Sequence, residues 1–104
     1  MTPAFKRGAT ARILLDQFTD EEWAAIHPWD SIKAEAQQGS VVHPMTVTAD
    51  PEARTILLSA DTSGWLLRLA RVDVRIVRGG VTVYLPSAST LLIEITSPVT
   101  TEAT

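Results

Sequence analysis

The chain has 104 residues, no cysteine and a formal net charge of −3. That length fits one domain spanning 1–104. The missing thiols exclude disulfides and thiolate metal sites, and the acidic balance argues against the basic footprint of a nucleic-acid-binding domain. Apolar residues at 45% beside charged residues at 20% mark a chain able to build a core rather than a disordered one. No run approaches the ~20 consecutive apolar residues of a membrane helix, and Met1–Thr10 lacks the apolar stretch of a secretory signal. No membrane partner is therefore expected.

From the N-terminus, Gly8 introduces an alternating run, Ala9–Leu15, in which Ala11, Ile13 and Leu15 share one side; period two predicts a strand. Thr19-Asp20-Glu21-Glu22 follows a different rule. A Thr with Glu three residues later is a capping box, and carboxylates suit the positive end of a helix. The pattern predicts a short helix over Asp20–Ile26, ended by Pro28, which pushes His27 out of the helical region. Such a helix is too short to stand without packing.

Alternation returns at Asp30. Ile32, Ala34 and Ala36 occupy one face and Lys33, Glu35 and Gln37 the other, as in a half-buried antiparallel strand. Gln38-Gly39-Ser40 reads as a turn and Val42–Ala49 as the next strand. Pro44 within it has no N–H for a ladder, so this strand starts late or lies at an edge. Asp50-Pro51-Glu52 is a turn, Thr55–Ser59 a strand rich in branched residues, and Asp61–Gly64 a loop.

The stretch Trp65–Ala70 reads two ways: Trp65 and Leu69 stand at helical spacing, while Gly64 and the strand that follows argue for an irregular segment. Val72, Val74 and Ile76 alternate with Asp73 and Arg75. Gly79-Gly80 then separates this run from Val81–Tyr84. Two β-rich runs joined by Gly-Gly predict a hairpin, since both central residues of a type I′ turn need positive φ. Pro86–Ser89 is a turn, Thr90–Thr96 the last strand, and 97–104 a flexible tail. About seven short strands with one helix between them are the pattern of a sandwich or barrel.

Candidate chemistry is sparse. His27 and His43 are isolated, expected on the surface, and lack a third ligand for a metal. Asp20, Glu21 and Glu22 are explained by the capping box. Ser59, Ser63 and Ser87 lack the flanking glycines of a nucleophile elbow. Gly79-Gly80 is flanked by strand rather than by a helix start, so it is no phosphate loop. Arg68, Arg71, Arg75 and Arg78 form a loose basic series near Trp65, but Arg75 shares a strand face with Asp73 and can pair with it, and the whole chain is acidic. The sequence thus predicts no catalytic residues, no metal site and no cofactor. Trp23, Trp29 and Trp65 are many tryptophans for this length. Large aromatics serve both cores and interfaces, so any exposed member of the three is a candidate contact residue.

The order of elements carries a resemblance. Phe5-Lys6-Arg7-Gly8 leads at once into an alternating strand. A helical insertion ending at Trp29 follows, then strand Ser31–Gln38 and a Thr/Val strand. Next come Ile56-Leu57-Leu58-Ser59-Ala60-Asp61-Thr62 and Arg71-Val72-Asp73-Val74-Arg75-Ile76, then a Gly-Gly turn and a closing strand before Val99-Thr100. This order resembles the immunoglobulin-like β-sandwich domains of tail, baseplate and fibre-attachment proteins of tailed phages and prophages. The likeness spans Phe5–Thr100 and rests on order and spacing; Asp16–Trp29 departs from it, where those domains carry a turn and a short polar stretch.

The resemblance implies an all-β, immunoglobulin-like antiparallel sandwich with one short helix. It implies a non-enzymatic structural role as well: a virion protein, made in the cytoplasm of a bacterial host, that docks to other virion proteins and assembles as a homo-oligomer. Two other classes are compatible with the residues: a small phage-encoded binding module that inhibits a host protein, and a carbohydrate-binding accessory domain.

Overall fold

The computed structural model describes residues 2–86 and 90–99. The chain is all-β with one short helix. Among the described residues there are eight strands: β1 (Ala4–Lys6), β2 (Thr10–Leu15), β3 (Ser31–Gln38), β4 (Val41–Asp50), β5 (Thr55–Asp61), β6 (Leu69–Arg78), β7 (Val81–Leu85) and β8 (Leu91–Thr96). Helix α1 (Asp20–Ile26) lies between β2 and β3.

The strands follow one hydrogen-bonded path, β1-β8-β6-β3-β4-β5-β2, with β7 beside β6. Every pair is antiparallel except β1 with β8, which is parallel. The sheet curls until it is nearly closed like a barrel. The strand expected over Ala9–Leu15 is found as β2, and a further short strand, β1, precedes it. β1 pairs with β8 and β2 with β5, so the N-terminal segment joins the two ends of the path. Gly8, at φ 98°, turns the chain between them. Buried Thr62 fastens that turn: its hydroxyl accepts from the Gly8 N–H at 3.0 Å and donates to the Ala9 carbonyl at 2.7 Å.

β6 is the hub. One edge pairs with β3 along Arg71–Val77, while the other is shared by β8 at Leu69–Val72 and β7 at Val74–Arg78. Its alternation is strict: Ala70, Val72, Val74 and Ile76 are buried and the residues between them exposed. With Ile56, Leu58, Ile93 and Ile95 they form the centre of the core. β4 changes partners midway, pairing with β3 through Val41–Met45 and with β5 through Thr46–Asp50. Pro44 lies in the first half, where the edge away from β3 has no partner among the described residues. Of the two placements the sequence allowed this proline, the edge position is the one found.

The capping box of α1 forms as expected. Thr19 Oγ1 accepts from the Glu22 amide at 3.1 Å, and the Glu22 carboxylate accepts from the Thr19 amide at 2.9 Å. His27 ends the helix in extended backbone, and Trp23 and Ile26 are the residues α1 buries. At the β6–β7 turn, Gly79 and Gly80 stand at φ 58° and 82° between the paired residues Arg78 and Val81, the two-residue turn the Gly-Gly pair predicts. The Asp30 carboxylate accepts from the Gly79 amide at 2.8 Å, tying the hairpin tip to the start of β3. Trp65–Arg68 is irregular and β6 begins at Leu69, so the non-helical reading of that segment holds. The turn expected at Pro86–Ser89 lies outside the described residues at 87–89, and the expected tail does so from 100 onward.

Candidate functional site

An aromatic cluster sits at each end of β3. At the Ser31 end, Trp23 stacks on His27 with ring centroids 5.4 Å apart and meets Trp29 edge-on at 5.9 Å and Phe18 at 5.3 Å. At the Gln38 end, Trp65 stacks on His43 at 4.4 Å with planes 11° apart. The three tryptophans therefore do not converge. Trp23 and Trp65 are core residues, 7% and 5% exposed, and Trp29 is half-buried against the core. Burial takes Trp23 and Trp65 out of the set of candidate contact residues, since a buried indole offers no area to a partner. The expected surface placement of the histidines is corrected. Both are half-buried, because each ring stacks on an indole.

The Gln38 end is built by residues that local patterning does not reveal. Gln38 is not part of the turn; it is the last residue of β3 and is buried. Its amide nitrogen donates to the Leu66 carbonyl at 2.8 Å and the Arg68 carbonyl at 3.2 Å. Its amide oxygen accepts from the Leu66 N–H at 2.8 Å and lies 2.9 Å from His43 Nε2. With the amide oriented this way, Nε2 carries the hydrogen and donates. Burial holds the His43 imidazole below its ordinary value. The loop also starts rigidly. Asp61 accepts from the Ser63 hydroxyl at 2.6 Å and the Ser63 amide at 2.9 Å, and those bonds hold its carboxyl below the usual range.

This bracing sets the chain after Trp65 across the β3–β4 hairpin, with the Arg68 guanidinium over Gly39. What it presents to solvent is apolar. Leu66, Leu67 and Leu69 are exposed there, as are Val41 and Val42 on the hairpin itself. Five large apolar side chains thus gather at one end of the molecule. The Leu66-Leu67 pair, adjacent apolar residues in an irregular segment, was the sequence signal for it.

A second feature lies on the outer face of β3, β6 and β7. Register sets Lys33 beside Arg75, with Tyr84 next in the row, and Glu35 beside Asp73. Like charges opposite one another destabilise a sheet. Arg75 and Asp73 do not pair as expected: among the described residues the ion pairs are Lys33–Glu35 at 3.6 Å and Arg54–Asp20. These side chains line an open groove of about 600 Å³. A cleft of about 630 Å³ lies between Leu14, Leu15 and Phe18 on one side and Leu85 and Leu91 on the other, with Asp16, Gln17 and Glu22 also lining it. Among the described residues no three His, Cys, Asp or Glu side chains are grouped to hold a metal. No helix there is long and apolar enough to cross a membrane.

Comparison with protein-family models, with curated proteins and with solved structures finds no match for this chain.

Proposed function

We propose that the chain is a structural contact domain of a phage or prophage virion, a tail, baseplate or fibre-attachment component, acting by protein–protein contact rather than by chemistry. The observation that carries the contact reading is the braced apolar end: Leu66 and Leu67 exposed on a loop that Gln38 holds in place, with Val41 and Val42 at the start of β4 and Leu69 at the start of β6 exposed beside it. Exposed apolar side chains gathered at one end of a domain are a mark of interaction sites. A rigid loop also loses little conformational entropy on docking, which favours affinity. The virion assignment draws on the element order from Phe5 to Thr100, which resembles an immunoglobulin-like sandwich of that group. In that reading the two halves of the curled sheet, joined through β4, are the two layers of the sandwich.

The test is a double variant, Leu66→Asp with Leu67→Asp, in the strain that encodes the chain. Both side chains are exposed, so the fold and melting temperature should be kept while incorporation into particles is lost. Undiminished incorporation would reject this surface as the contact.

The groove on the outer sheet face favours a second reading, carbohydrate binding. Glu35, Gln37, Asp73 and Arg75 offer donors and acceptors for sugar hydroxyls, and Tyr84 offers a ring to stack on. Glycan-array binding that is lost in Tyr84→Ala would support it over the virion reading.

A further inference from the structure

We propose that β7 is a self-pairing edge, through which two copies of this chain form a two-fold dimer with a continuous sheet. The inference extends the contact reading but rests on different residues. It starts from how the sheet's free edges differ. Among the described residues β1, β2 and β7 each have a neighbouring strand on one side alone, and β4 is open along one side in each half. Proteins guard such edges with charge or proline, because bare backbone recruits other strands. β1 carries Lys6, β2 carries Arg12, and β4 carries Pro44 in its first half and Asp50 in its second. β7, Val81-Thr82-Val83-Tyr84-Leu85, has neither charge nor proline.

The hairpin register says which backbone groups β7 offers. In a two-residue turn the flanking residues, here Arg78 and Val81, exchange hydrogen bonds, and bonded pairs then alternate along the ladder. Val81, Val83 and Leu85 therefore spend their N–H and C=O groups on Arg78, Ile76 and Val74. Thr82 and Tyr84, both exposed, turn theirs to the open side. An antiparallel copy with Val83 opposite Val83 sets Thr82 of one chain against Tyr84 of the other, twice, and every outward group of Thr82 and Tyr84 finds a partner.

The same register keeps charges apart. The two-fold axis is perpendicular to the sheet, so outer faces stay on one side. The row Lys33–Arg75–Tyr84 then continues onto Thr82 of the second copy, so neutral side chains separate the two basic pairs. The contact is small. A strand of five residues spans about 17 Å, well short of the ~800 Å² per partner of a stable interface. The dimer should accordingly be weak, with dissociation in roughly the micromolar range or above.

Sedimentation velocity on the full chain across a concentration series tests this, with Thr82→Pro and Thr82→Lys as variants. Proline at 82 removes an outward N–H that β6 does not use, and lysine adds the charge other edges carry. The wild type should show a monomer–dimer equilibrium, and both variants should weaken it at least about tenfold with the melting temperature of the monomer retained. Arg12→Ala, on the other edge, should leave it unchanged. A wild type that stays monomeric up to about 1 mM, or a dimer indifferent to both variants at Thr82, would overturn the inference. A chain found in particles but monomeric in solution would sink the dimer and leave the virion reading standing; a dimer absent from particles would do the reverse.

Discussion

Gln38 and Leu66 exchange two hydrogen bonds, from the Leu66 N–H to the Gln38 amide oxygen and from the Gln38 amide nitrogen to the Leu66 carbonyl, both at 2.8 Å. One buried side chain thereby stands in for the neighbouring strand that an irregular segment lacks. It orders the loop that displays Leu66, Leu67 and Leu69.

Gln38→Leu should therefore remove stability and loop order together. Leucine matches the volume but leaves the Leu66 amide and two carbonyls without partners, at about 1–3 kcal/mol for each buried group left unsatisfied. Denaturant unfolding should show a loss of about 3 kcal/mol or more, and amide exchange at Leu66 should accelerate. A change under about 0.5 kcal/mol would mean that water replaces the amide without penalty.

His43 makes stability depend on pH. Its folded-state imidazole sits below the ordinary 6.5 because burial disfavours the charged form. The unfolded chain then binds the proton first as pH falls. The contribution is fully present above the unfolded value and is lost as pH drops from about 6.5 toward the folded one. Melting temperature should fall as pH drops below about 6.5 in the wild type. His43→Phe, which keeps a ring against Trp65, should flatten that fall. An identical slope in both proteins would remove His43 as its source.

The Gly79-Gly80 turn is a backbone requirement, not a packing one: a Cβ at either position meets nothing within 4 Å. Both residues are at positive φ, so replacing both with Val should destabilise the domain by about 1–2 kcal/mol for each residue. Asn at both should be tolerated, since it visits that region readily. Equal melting temperatures for the Val pair and the wild type would contradict the turn geometry.

What the sequence disclosed and what it hid divide by distance along the chain. The alternation of β3 and β6, the Thr19–Glu22 capping box and the Gly79-Gly80 turn are local, set by neighbours a few residues apart, and all three are legible. β1 is three residues long and its partner β8 lies some 90 positions on, so no period announces it. Gln38 reads as a turn residue because glycine follows it. Its partners are 28 and 30 residues away, and only the curled sheet brings them near. His43 precedes a proline, which suggests a surface position, yet its parity on β4 puts it beside Ala36 on the inner face. The tryptophans announce large buried area but not which surface is left exposed. The apolar end was hidden in the one segment whose pattern was ambiguous.

Mass spectrometry of purified tailed particles from the strain that encodes the chain tests the central claim most directly. The virion reading predicts peptides of this protein at a fixed ratio to the tail or baseplate proteins, retained through a density gradient. Particles that infect normally and contain none of it would contradict that reading.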